Sequence, residues 1–164
     1  MKKLMEFKNQ ATEPEWIAVN DGVMGGLSKG GPLIKDGLLH FVGNLSLENS
    51  GGFSSIRTLN RKYDFSGKTA LVIRLKGDGR IYQLRLATDA RYRGSAVSYA
   101  AQFTTENGKW IVVKVPFKTL SPTWRGMDLE GPPFNSSKVE ELGFLIADKK
   151  AGEFEIEVDW MAVE

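Results

Sequence analysis

The side chains able to do chemistry in this chain gather around glycines. Asp21-Gly22-Val23-Met24-Gly25-Gly26-Leu27-Ser28-Lys29-Gly30-Gly31 sets a carboxylate, a thioether, a hydroxyl and an ammonium in one flexible stretch. Backbone amides in such a loop can cradle a phosphate. The spacing matches neither a P-loop nor a dinucleotide fingerprint, and no strand–loop–helix frame surrounds it. That favours a tight loop whose glycines take positive φ or let backbone approach closely. Asp21 and Met24 are its candidate ligand- or partner-contacting residues. In the second segment, Gly77-Asp78-Gly79-Arg80 precedes Tyr82. Asp78, Arg80 and Tyr82 offer an acceptor, a forked donor and an aromatic face at one strand end, a set suited to a polar ligand. The competing reading is a hairpin turn in which Asp78 bonds its own backbone.

Catalysis finds little support. The chain has no cysteine and one histidine, His40, which excludes thiolate chemistry and any site needing two imidazoles. His40 lies between Leu39 and Phe41 with no acidic neighbour in sequence, and reads as a surface or satisfied residue. Glu13/Glu15 and Glu155/Glu157 are carboxylate pairs of the kind glycosidases use, but the second pair alternates with apolar residues and faces water. Asp21, Asp148 and Asp159 could each lend an oxygen to calcium without forming an acidic loop. No catalytic residue, metal or cofactor is expected.

These groups must be positioned by strands. Apolar residues recur at every second position in Leu39/Phe41, extending to Leu45 and Leu47, and in Leu71/Ile73/Leu75, Tyr82/Leu84/Leu86 and Val97/Tyr99/Ala101/Phe103. The same holds for Ile111/Val113/Val115/Phe117 and Phe154/Ile156/Val158/Trp160. Turn residues separate the runs at Asp64–Gly67, Gly77–Gly79, Glu106–Gly108 and Lys150–Gly152, with Asn107-Gly108 reading as a tight hairpin. One short helix is expected after Pro132-Pro133, from a Ser137/Glu140 capping box followed by Val139 and Leu142. The fold class is all-β: an antiparallel sandwich or jelly roll. If the alternating apolar residues face the core, Arg74, Lys76, Gln83, Arg85, Ser98 and Gln102 share the opposite face. Such a surface suits hydroxyls or carboxylates, or is simply a sheet's wet side. Trp124-Arg125-Gly126, in an irregular stretch between Pro122 and Pro133, has the composition of an interface hot spot or of a cap on the open core.

At 164 residues, 41% hydrophobic and 26% charged, with a formal net charge of +2, the chain reads as one domain spanning residues 1–164. Neither nucleic acid nor membrane insertion is indicated, since no stretch approaches the roughly 20 apolar residues of a spanning helix. Met1 to Gln10 lacks the apolar run of a signal peptide, so a cytoplasmic location is expected.

Trp16, Asp21–Gly26 with Ser28, Phe41-Val42-Gly43, Gly51-Gly52-Phe53-Ser54 and Arg57 stand in an ordered series. It continues with Gly77–Tyr82, Phe103, Trp110, Pro116-Phe117, Trp124-Arg125-Gly126, Gly143 and Ala151–Phe154. The series resembles the complex I intermediate-associated protein 30 family. That resemblance implies a galactose-binding-like sandwich related to carbohydrate-binding modules. It also implies a non-catalytic assembly factor or chaperone for NADH:ubiquinone oxidoreductase, whose partner is a respiratory-complex subunit or assembly intermediate. Without a transit peptide the chain looks like a minimal bacterial member. The alternative is a module recognising a sugar or other polar ligand on one sheet face, and Asp21, Met24, Asp78, Arg80, Tyr82, Arg85, Gln102, Trp124 and Arg125 are the candidate contacts for either role.

Overall fold

The computed structural model describes residues 1–9, 13–59 and 61–164; the side chains of Val23 and Met24 lie outside what it describes. The candidate Met24 is therefore placed by its backbone alone. The described strands are, in chain order, β1 (Lys2–Met5), β2 (Trp16–Asn20), β3 (Lys29–Lys35), β4 (Leu38–Leu45), β5 (Ser54–Thr58), β6 (Ala70–Lys76), β7 (Ile81–Tyr92), β8 (Ser95–Thr104), β9 (Trp110–Pro116), β10 (Ser121–Trp124), β11 (Met127–Asp128), β12 (Val139–Ile146) and β13 (Gly152–Val163). One sheet runs β3-β4-β13-β6-β9 with β1 added against β13; the other runs β11-β10-β8-β7-β12-β5-β2. The ladders are antiparallel throughout the described residues.

Alternation places the core between the sheets. Leu39 and Phe41 on β4, Leu71, Ile73 and Leu75 on β6, and Phe154, Ile156 and Val158 on β13 close onto Tyr82, Leu84 and Leu86 of β7 and the inward residues of β8. Phe41 meets Phe154 edge-on at 4.9 Å, and Tyr82 stacks near Phe103 at 6.1 Å. Truncating one such ring to Ala costs about 3–5 kcal/mol.

Several expectations change for physical reasons. Leu47 falls beyond β4 and is exposed. A register shift between Val158 and Trp160 turns Trp160 to the outer face, opposite Arg74, and brings Met161 inward. The expected helix is a 3-10 turn, Ser136–Lys138, running into β12. A bulge between Val139 and Glu141 adds one residue there, so Val139 and Leu142 both reach the core three positions apart, imitating helical spacing. Asn107-Gly108 closes no hairpin: β8 and β9 belong to different sheets, as do β6 and β7 across Gly77–Gly79. Both crossings lie side by side, joined by a bridge between Gly77 and Asn107. For the same reason Arg74 and Lys76 occupy the outer face of one sheet, and Gln83, Arg85, Ser98 and Gln102 that of the other.

Candidate functional site

Asp21 opens a 3-10 turn, Asp21–Met24, and its side chain is fully buried. Its Oδ1 accepts the Ser28 amide at 2.9 Å, and its Oδ2 accepts the amides of Gly52 at 2.6 Å and Phe53 at 3.2 Å. Burial works to raise this carboxyl, yet the Gly52, Ser28 and Phe53 donors hold it below the ordinary carboxylate value. A Cβ on Gly26 or Gly51 would stand 2.4 or 2.6 Å from carboxylate atoms, so only glycine admits the approach. The anion cradled by these loops is therefore the chain's own.

Asp78, Arg80 and Tyr82 come together: Tyr82 is buried, while Asp78 and Arg80 are half-buried and Asp78 borders a surface cavity lined also by Lys29, Asn44 and Glu153. Arg80 forks onto Asp148, Nε to Oδ2 at 2.9 Å and Nη2 to Oδ1 at 2.7 Å, and donates also to the carbonyls of Lys150, Gly152 and Glu153. The bond to Asp148 raises the Arg80 pKa; burial opposes ionisation of Asp148, but Arg80 keeps its carboxyl depressed. Asp78 accepts from the Tyr82 hydroxyl at 2.9 Å, the Glu155 amide at 2.8 Å and the Arg80 amide at 3.0 Å. Tyr82 is entirely enclosed, and burial together with the Asp78 charge pushes its hydroxyl far above the usual tyrosine value. The trio closes the crossing between sheets, tying it to the loop before β13.

Arg85 and Gln102 lie on the outer face of the seven-stranded sheet, on neighbouring strands; Gln102 is exposed and stands opposite Gln83. The Arg85 guanidinium donates to Gln83 Oε1 at 2.9 Å and Ser98 Oγ at 3.1 Å. Among the described residues no carboxylate comes within 4 Å of it, and burial alone pushes its pKa down. Gly143 and Ala100 flank it across the ladders, leaving the guanidinium with small neighbours on either side. Trp124 ends a short strand rather than lying in an irregular loop, and Arg125 follows it, exposed.

Sequence reading missed a cross-strand cluster. His40 pairs with Glu157 across β4 and β13, placing its Nδ1 3.4 Å from Glu155 and 3.5 Å from Glu157. These three could lend ligands to a cation, with their atoms within 4.8 Å of one another, but the Lys76 ammonium already sits 2.9 Å from Glu157. Only strand register could have revealed the grouping. Asp21, Asp148 and Asp159, weighed as calcium ligands, are held separately by amides, Arg80 and Arg74.

Comparison with known proteins bears on the fold and the family. Solved structures share the fold: a family 11 carbohydrate-binding module of Clostridium thermocellum, seen with a beta-1,3-1,4-mixed-linked tetrasaccharide, superposes with a TM-score of 0.69 at 14% identity, covering 98% of this chain and 93% of its own. A family 30 carbohydrate-binding module gives 0.58 at 17% identity over 85% and 92%. Among curated proteins, the mitochondrial complex I intermediate-associated protein 30 of Mus musculus is 29% identical over 96% of this chain, and that of Drosophila melanogaster 28% over 79%. The chain spans about half the length of these relatives, 54% and 45%. Their names place them in mitochondria, which overturns the cytoplasmic expectation and lends nothing to a bacterial origin. That expectation rested on the first ten residues, which say nothing about a leader when the match covers half of a longer protein. The sequence model described as complex I intermediate-associated protein 30 matches residues 5–158, and the chain belongs to that family.

Proposed function

We propose that residues 1–164 form one binding domain that associates with an intermediate of complex I during its assembly, without catalysis or a cofactor. The observation that carries this reading is the family match over residues 5–158, with relatives named for that association. The buried candidates Asp21 and Tyr82 and the half-buried Asp78 and Arg80 engage their side chains in internal bonds, so they shape the surface. Arg85, Gln102, Trp124 and Arg125 remain for contact. Tagged chain expressed in mitochondria lacking the endogenous relative is expected to co-migrate with a sub-complex containing complex I subunits on native gels. Migration of the chain alone, in cells actively assembling complex I, would rule the reading out.

Arg85 supports a second reading, a polar ligand on the seven-stranded sheet. A guanidinium has five N–H donors, and its protein partners here are neutral. Desolvating a cation without an anionic partner is unfavourable, which marks the position as available to a ligand oxygen. Calorimetric titration with neutral and uronic-acid oligosaccharides is expected to show millimolar binding that Arg85→Gln abolishes. Absence of heat in both titrations removes this reading.

A further inference from the structure

Among the described residues, three hairpins turn through two residues with positive φ at both, the signature of a type I′ turn. Between β3 and β4 the pair is Asp36 (φ 55°) and Gly37 (φ 74°), a combination well suited to that geometry. The other two place arginine first: Arg93 (φ 49°) with Gly94 (φ 84°) between β7 and β8, and Arg125 (φ 48°) with Gly126 (φ 80°) between β10 and β11. A long side chain is disfavoured in the left-handed region, where Asn, Asp and Gly are at ease. Twice, therefore, the chain holds an arginine where an easier residue would close the same turn, and backbone strain of this kind concentrates at functional surfaces.

The two tips are neighbours, because β8 pairs with β10. Trp124 Nε1 donates to Ser95 Oγ at 2.7 Å, locking one tip to the other. An aromatic precedes each arginine, and the rings of Tyr92 and Trp124 meet edge-on at 5.0 Å. The Arg93 guanidinium lies 5.3 Å from the Tyr92 ring and 5.7 Å from the Trp124 ring; that of Arg125 lies 4.8 Å from Trp124. Both arginines are exposed, and among the described residues neither has a carboxylate within 4 Å. The nearby Arg91 differs, sitting 3.5 Å from Glu140.

We propose that the paired hairpin tips form a bipartite anchor in which Arg93 and Arg125, shelved on Tyr92 and Trp124, grip an acidic segment of the protein client. The charge is complementary, the forked donors suit side-chain carboxylates, and tryptophan, tyrosine and arginine are the residues that dominate interface energetics. The aromatic shelf pre-orients the guanidiniums, so little side-chain freedom is lost on contact.

This inference rests on the client-binding reading, and its test separates the two. A fluorescently labelled decaglutamate peptide is titrated into the full chain, and anisotropy is followed at low and high salt. Saturable binding that weakens as salt rises is expected, with a loss of about tenfold or more in Arg93→Asn/Arg125→Asn. Asparagine suits the left-handed position, so the same variant should melt at or above the wild-type temperature. Equal peptide affinity in wild type and variant, or no binding by the wild type, overturns the anchor. So does a variant that melts well below wild type, because the arginines would then be supporting the turn. Retention of the complex I intermediate is measured alongside. If wild-type chain retains none, the client reading fails; if variant and wild type retain it equally, the anchor alone fails.

Discussion

Arg80→Ala is expected to lower the unfolding free energy by about 3–5 kcal/mol, the range for removing one partner of a buried ion pair. In a chain of this size that corresponds to a fall in melting temperature of about 6–20 °C. The side chains of Arg80 and Asp148 are 12% and 4% exposed, so removal of the guanidinium leaves a carboxylate with neither cation nor water. The carbonyls of Lys150, Gly152 and Glu153 lose their donor as well. Arg80→Lys should recover little, since one ammonium cannot fork onto Asp148 and reach three carbonyls. A double-mutant cycle isolates the pair: Arg80→Met with Asp148→Leu should be more stable than the sum of the single losses predicts, because the stranded charge has gone. It should remain below wild type by the cost of the freed carbonyls. Thermal and denaturant melts of the four proteins check this, and additivity of the two substitutions would show that the fork contributes no coupling.

The strands were legible because two-residue periodicity is local. Phe154, Ile156 and Val158 face the core and Glu155 faces out, as their alternation implies. What periodicity cannot carry is sheet membership. Gly77–Gly79 and Glu106–Gly108 have hairpin composition, yet each connects two sheets. A turn's residues encode local backbone geometry and say nothing about which neighbour the next strand chooses. Bulges defeat the reading in another way. One extra residue, Glu140 in β12 or Asp159 in β13, reverses parity, making a strand segment look helical in the first case and putting Trp160 outside in the second. Of the candidate site, the grouping of Asp78, Arg80 and Tyr82 was visible, but its internal partners were not. The partner that holds the Arg80 guanidinium, Asp148, lies 68 positions away. The aromatic-arginine pairing at Trp124 and Arg125 was visible too; the matching tip at Tyr92 and Arg93 needed the β8–β10 ladder to bring it alongside.

Asp21 is the second position where one side chain carries a large share of stability. Asp21→Ala is expected to cost about 3–5 kcal/mol, since three amides lose their acceptor and an unsatisfied buried donor costs about 1–3 kcal/mol. Asp21→Asn is more informative. It keeps the shape, but whichever oxygen it replaces, an amide group must then face the Ser28 amide or those of Gly52 and Phe53. Donor meets donor, and a loss of at least about 2 kcal/mol should follow. Protonation of Asp21 creates the same conflict, because one oxygen becomes a hydroxyl. The sign of the pH effect follows from its depressed carboxyl. A group that ionises more readily in the folded state contributes stability above its unfolded pKa, about 3.9, and loses it as pH falls through the folded value. Wild-type stability should therefore decline below about pH 4, and the gap between wild type and Asp21→Asn should narrow over the same interval. Denaturant melts between neutral pH and acid measure that gap directly. A gap that stays constant would mean that the carboxylate's charge has no part in holding the Gly52-Phe53 loop against the 3-10 turn, and that shape alone explains why Gly26 and Gly51 crowd around it.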